Sequence, residues 1–285
     1  MYTHLKDTSP TSKLRESSNV NKRTQDGIKL YWLCKTCETR FSNWEKYFSE
    51  TIYHPLQKNE LPIHYNEQFL KFCVSITWRV LKYIMEEGMT SNFSAEITTK
   101  LNNALEAWKK FLFDQDANPS IYEQHFYNFT GTIEKTTLPI SPNIHRYLQR
   151  SIAIDVIHWG PHAIIVYAKF PGLLLVGFVN IENRGDFRDT KVHVKNGSLN
   201  HQNFSFSDLL WSYIQAKSES TRHAKQSISQ KQKEKIKDDY SKLPSDKIIA
   251  SGTFQSLQKD IELSTAKDAF QKNSNADSST EEKKK

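Results

Sequence analysis

One pair of residues in this chain has a spacing that organises chemistry by itself: Cys34 and Cys37, in the run Leu33-Cys34-Lys35-Thr36-Cys37-Glu38. Two thiolates separated by two residues on a tight turn converge on one cation, the arrangement of a zinc knuckle with Zn–S distances of about 2.3 Å. A structural zinc takes four ligands. The third cysteine, Cys73, falls on the most apolar stripe of a predicted helix, where it reads as a small core residue and not as a ligand. His4, His54 and His64 are the nearest histidines, and none has the paired spacing of a zinc finger. A Cys-x-x-Cys also suits a redox dithiol where a strand precedes it and its first cysteine opens a helix. The residues leave three readings of the pair: a complete native zinc site, a redox dithiol, or the inert remnant of a metal fold whose zinc site is incomplete in this chain.

Other constellations carry less. Asp155 sits on one predicted strand and Asp189-Thr190-Lys191 opens another; an aspartate and an Asp-x-Lys on adjacent strands would hold Mg²⁺ with a lysine beside a scissile phosphate. Such a short pattern recurs by chance in a chain with 25% charged residues, and solvated strand ends are the plainer reading. Glu38, Glu45 and Glu50 lie on the helix predicted after the cysteine turn, where a solvated face is expected. Arg79 follows Trp78 inside an apolar helical pattern, and an arginine there needs a carboxylate. Glu45 or Glu50 is the expected partner, which would dock the two helices together. No Gly-rich phosphate loop, nucleophile elbow or kinase set is present.

Three stretches together carry a resemblance: Gln25-Asp26-Gly27-Ile28-Lys29; the run from Leu33 with Cys34, Cys37, Glu38, Phe41, Ser42 and Glu45; and Phe72-Cys73-Val74-Ser75-Ile76 with Trp78-Arg79. Over roughly residues 1–200 the chain resembles a group of uncharacterised bacterial proteins whose zinc knuckle is similar to that of the HNH endonuclease superfamily. In that group a Cys-x-x-Cys and a Ser/Asp-His-Ile-Ile-Pro segment usually stand upstream, supplying two further metal ligands and the histidine that acts as general base. This chain has no counterpart of either, so the resemblance carries over only Cys34 and Cys37, as metal ligands. No catalytic residue is assigned, and HNH-type nuclease activity is not expected. The resemblance implies nucleic acid as the favoured partner, and the first thirty residues, without a secretory h-region, make the cytoplasm the expected compartment. The alternative is a non-enzymatic protein–protein interaction protein with a vestigial metal site.

Composition bounds these readings. The chain has 285 residues, enough to bury a core without disulfides. Apolar residues make up only 37%, yet aromatics reach 12%, so a polar segment dilutes an otherwise folded chain. Nine Gly and nine Pro argue against collagenous or low-complexity sequence. The net charge of +7 is not gathered into one run: Glu234 interrupts Lys231–Lys237, and Glu281 and Glu282 precede the terminal lysines. An odd count of three cysteines makes no disulfide framework. No apolar run approaches the roughly 18 residues of a membrane span, and no secretory h-region opens the chain, so no membrane partner is expected.

The elements that must hold the cysteines follow from periodicity. A lead-in over 1–26 reads as extended, and Ile28–Leu33 as a strand into the cysteine turn. Phe41, Trp44, Phe48 and Ile52 make one stripe of a helix that Pro55 is expected to close, completing a knuckle segment over 27–55. Residues 66–87 and 94–114 read as helices, the first apolar over most of its circumference with Gly88 as its cap. Ile152–Ile157, His162–Phe170, Leu173–Val179 and Thr190–Val194, separated by turn residues, predict an antiparallel meander, and Tyr122–Phe129 an edge strand. Phe204–Ala216 predicts a helix with Ser207 at its N-cap, ending an α+β core over 56–216. A polar helical arm over 217–270, offered as a surface for another protein, and a disordered tail over 271–285 complete an α+β chain with a sheet of four to five strands.

Overall fold

The computed structural model of the protein describes residues 2–11, 13–16, 19–24, 30–131, 140–200 and 207–265. The tail over 271–285 lies outside them. Along the chain run α1 (Tyr2–Asp7), β1 (Leu14–Arg15), β2 (Arg23–Thr24), α2 (Lys35–Tyr47), α3 (His54–Gln57), β3 (Ile63–Asn66), α4 (Glu67–Glu86), α5 (Ala95–Leu112) and β4 (Gln124–Asn128). They are followed by α6 (Ile144–Arg150), β5 (Ala153–His158), β6 (Ala163–Phe170), β7 (Leu173–Ile181), β8 (Asn196–Leu199), α7 (Asp208–Gln226), α8 (Gln230–Ser241), α9 (Ser245–Ile249) and a last helix, α10, over 252–265. The architecture is α+β, as the sequence predicts. The chain divides into two units, one of Lys29–Gly131 with Ile152–Leu210, the other of Met1–Ile28, Thr132–Ser151 and Trp211–Lys285.

The α+β unit is built around α4. Asn66 caps it, its side chain accepting from the Gln68 N–H at 2.9 Å, and Gly88 ends it in the left-handed conformation at φ 70°. Eleven of its twenty residues are buried, Cys73 among them. The antiparallel sheet beneath has the order β4-β7-β6-β5, with Tyr122–Phe129 contributing the expected edge strand at Gln124–Asn128. Gly177, mid-strand in β7, is the point of closest approach: a Cβ there would meet the Thr77 methyl at 2.9 Å and the Trp108 ring at 3.1 Å. Glycine is therefore what lets α4 and α5 settle onto the sheet.

The predicted fourth meander strand, Thr190–Val194, does not form. A 3-10 turn (Gly185–Thr190) takes its place, with one bridge between His125 and Lys191, and the chain then pairs β8 with β3 in a separate two-stranded sheet. Asn196 and Gly197 belong to this strand, and the Tyr65 ring lies directly on Gly197, where a side chain would collide with it. The strand expected over Ile28–Leu33 is also absent where it is described: residues 30–33 are irregular, with Tyr31 95% exposed. Without a neighbouring strand to pair with, an apolar run does not make a ladder. Trp32 is engaged, its ring 5.0 Å from the Lys82 ammonium.

In the other unit, the segment read as extended holds α1, with Leu5 buried, and the β1–β2 hairpin. Both are held by distant side chains and not by local propensity. Arg150 donates to Thr8 Oγ1 at 2.6 Å and to Leu5 C=O at 3.0 Å; Lys13 meets Asp239 of α8 at 2.5 Å. The Asp260 carboxylate caps α6, accepting from the His145 and Arg146 amides at 2.7 and 3.1 Å. Helix α7 runs ten residues past the predicted end at Ala216. No helix among the described residues is long and apolar enough to cross a membrane.

Candidate functional site: the cysteine turn

Cys34 is the N-cap of α2, in extended conformation at φ −71° and ψ 163°, and Cys37 lies in the first turn. The sulfurs stand 3.4 Å apart. Cys34 is exposed and Cys37 partly so. The Cys37 backbone, first, and then its side chain hold the Cys34 thiol below the ordinary cysteine value, while the neighbouring Cys34 side chain pushes Cys37 up. The Cys34 sulfur makes no capping hydrogen bond, but it stands at the positive end of the helix, which favours negative charge there.

What fixes the turn is the rest of α2. Phe41 and Trp44 are buried, and Phe41 meets the Trp78 ring edge-on at 6.2 Å. Arg79 reaches back from α4 to Glu45, Nη2 to Oε1 at 2.7 Å, with its guanidinium 5.5 Å above the Phe41 ring. The carboxylate expected for Arg79 is there, and it is Glu45. At the other end Pro55 does not close the helix. The chain widens into a π-helical turn over Phe48–Tyr53 and continues as α3, with Pro55 in the first turn, where a missing N–H costs nothing. Phe48 stacks on Phe72 at 3.9 Å across this turn. Arg40 donates to the Leu112 carbonyl and meets Asp114 at 3.2 Å; Lys71 also pairs with Asp114, at 2.7 Å, and holds its carboxyl below the usual range.

The structure does not gather the other sequence candidates around the cysteines. Cys73 is fully buried in α4. His54 Nε2 lies 3.3 Å from Ser49 Oγ, and His64 points outward from β3. Among the described residues no three His, Cys, Asp or Glu side chains converge as a metal site. Asp155 and the Asp189-Thr190-Lys191 run are not on neighbouring strands. Asp155 is in β5 at one edge of the sheet, Asp189 is in the 3-10 turn, and Lys191 bridges to β4 at the opposite edge. Lys191 is bound at 2.7 Å to Glu123.

Two ionic clusters had no sequence signal, because their members come from distant stretches. Glu123 receives Arg184 at 2.8 Å as well as Lys191, and faces buried His125 Nε2 at 3.6 Å. His125, then Lys191 and Arg184, hold the Glu123 carboxyl down at about 2, while burial keeps His125 below the usual imidazole value. In the helical unit, Lys225 of α7 is lowered to about 7, by burial first and then by Arg146 and Arg150, with Asp260 opposing. Both clusters tie elements together and show no converging metal-ligand set.

No family model, curated protein or solved structure matches the chain.

Proposed function

We propose that Cys34 and Cys37 are the two-thiolate arm of a zinc site of the knuckle kind, and that the turn serves as a metal-organised binding element for nucleic acid with no hydrolytic chemistry of its own. The sulfur separation of 3.4 Å carries this reading. Two Zn–S bonds of about 2.3 Å at a tetrahedral angle place their sulfurs about 3.8 Å apart, so small side-chain rotations bring this pair to the bite of a zinc ion. The Cys34 thiol is held below the ordinary cysteine value, first by the Cys37 backbone, which favours the thiolate that such a bond requires. Zinc here would organise the turn and neutralise two thiolates; the remaining donors have to come from outside the described residues.

Support for nucleic acid lies beside the thiols, where the fully exposed Tyr31 ring and exposed Lys35 offer a stacking face and a cation. A specific observation favours the alternative, a protein partner for the C-terminal arm: Phe254, Leu257 and Ile261 leave an apolar stripe on the surface of α10.

Zinc titration of the full chain against a chromogenic chelator tests the metal, and anisotropy of a labelled single-stranded oligonucleotide tests the partner. Retained zinc should vanish in the Cys34→Ser and Cys37→Ser variants. Oligonucleotide affinity should fall steeply with salt and drop by about 1–3 kcal/mol in Tyr31→Ala. Zinc retention no greater than in the variants removes the metal reading. Salt-insensitive or Tyr31-independent binding removes the nucleic-acid reading.

A further inference from the structure

We propose that Cys34 and Cys37 are also a thiol–disulfide exchange pair, in which Cys34 attacks a small-molecule disulfide and Cys37 resolves the product into an intramolecular disulfide. The inference goes beyond the metal reading and needs no metal. The two uses exclude each other, because a sulfur bonded to sulfur has no thiolate left to donate.

The geometry assigns the roles. Attack requires a sulfur that a bulky disulfide can reach, and Cys34 is the exposed member, standing at the N-cap ahead of the helix. Resolution requires a second sulfur close to the first but less open to solvent, and Cys37 is that one, 3.4 Å away and partly covered. A disulfide needs about 2.0 Å between sulfurs, so the pair has about 1.4 Å to close, across one turn at the outer end of α2. Cys73, fully buried in α4, does not compete.

The exchange balances without another cofactor. The Cys34 thiolate attacks one sulfur of the external disulfide, forming a mixed disulfide and expelling one thiolate, which takes a proton from water. Cys37 then loses its proton, attacks Cys34 Sγ and expels the second thiolate. The cysteine pair gives up two electrons and the external disulfide becomes two thiols.

The test uses the full chain, reduced, in a metal chelator, mixed with glutathione disulfide. Trypsin normally cuts after Lys29, Lys35 and Arg40, releasing 30–35 and 36–40 as separate peptides, one cysteine in each. Exchange predicts that these two peptides stay joined in a non-reducing digest, that two of the three thiols become unreactive, and that Cys73 remains free. In Cys37→Ser a stable glutathione adduct should accumulate on Cys34. In Cys34→Ser the joined peptide should vanish and adduct formation should slow by at least tenfold. The proposal is overturned if the wild type accumulates the glutathione adduct without closing, if it keeps all three thiols, or if Cys34→Ser reacts as fast as the wild type. Circular dichroism of both variants confirms that they are folded. Zinc binding without closure overturns exchange alone; closure without zinc binding overturns the metal reading alone.

Discussion

Gly177→Ala sets two opposed effects against each other at one atom. Gly177 has no positive φ, so alanine fits its backbone, and replacing a strand-interior glycine would ordinarily stabilise by about 0.4–1 kcal/mol through loss of unfolded-state freedom. Here the new methyl would stand 2.9 Å from Thr77 Cγ2, 3.0 Å from Thr77 Cβ and 3.1 Å from the Trp108 ring, all in fully buried side chains. These are not flexible ends: Thr77 is held by its hydrogen bond to Gln124 at 3.1 Å, and the Trp108 indole donates to the Tyr122 carbonyl at 3.1 Å. Overpacking of this kind costs about 1–3 kcal/mol, so the variant should lose roughly 1–2 kcal/mol net. Thr77→Ser keeps the hydroxyl and deletes the offending methyl. Alone it should cost about 1 kcal/mol; combined with Gly177→Ala the pair should be less destabilised than the sum by about 1 kcal/mol. Urea unfolding followed by circular dichroism measures all four proteins. A neutral or stabilised Gly177→Ala, or strict additivity in the double variant, refutes the claim that α4 and α5 meet the sheet at this residue.

Two further outcomes follow from the ionic clusters. The Glu123 carboxyl is depressed to about 2 from 4.5, so the stability it contributes is complete above pH 4.5 and is lost as pH falls through about 2. Urea midpoints of the wild type should decline over that interval, and those of Glu123→Gln should decline less; parallel profiles count against the cluster. Lys225 has the opposite sense: lowered to about 7 from 10.5, it is neutral in the folded state over a range where the unfolded chain still holds its proton, so stability rises from pH 7 toward pH 10.5. Lys225→Met should raise the midpoint at neutral pH and flatten that rise. A variant no more stable than the wild type at pH 7 would show that the lysine is not buried at a cost.

How far the sequence foretold this arrangement depends on whether the determining contacts are local. α4 was legible because its apolar stripe and Gly88 terminus lie within one segment. The Glu45–Arg79 pair was legible too, since an arginine on an apolar helix demands a carboxylate and Glu45 and Glu50 stood on the helix expected to pack beside it. The edge strand β4 was legible in the aromatic run Tyr122–Phe129, whereas β8 was not: its pairing depends on Tyr65 lying over Gly197, a contact spanning most of the unit's sequence. Pro55 misled for a related reason, because a proline that breaks a helix interior is harmless one residue into a new turn. Helix α1 and its hairpin were unreadable, since Arg150, Asp239 and Gln232, all remote in sequence, hold them.

The cysteine turn owes its chemistry to a division of labour along α2. The helix is anchored from Arg40 onward by the rings of Phe41 and Trp44 in the core, Glu45 on Arg79 and Arg40 on Asp114. The first turn, with Cys34, Lys35, Thr36 and Glu38 exposed, contributes little burial. Cysteine is among the most often buried residues, so thiols at an exposed helix start are not there for packing. What that position supplies is a rigid base below, free backbone amides beside the sulfur and open solvent above, the conditions under which a thiolate can accept a metal or attack a disulfide. Serine at either position therefore leaves the anchoring contacts intact, and a loss of zinc or of exchange in those variants reports on the sulfurs and not on the fold.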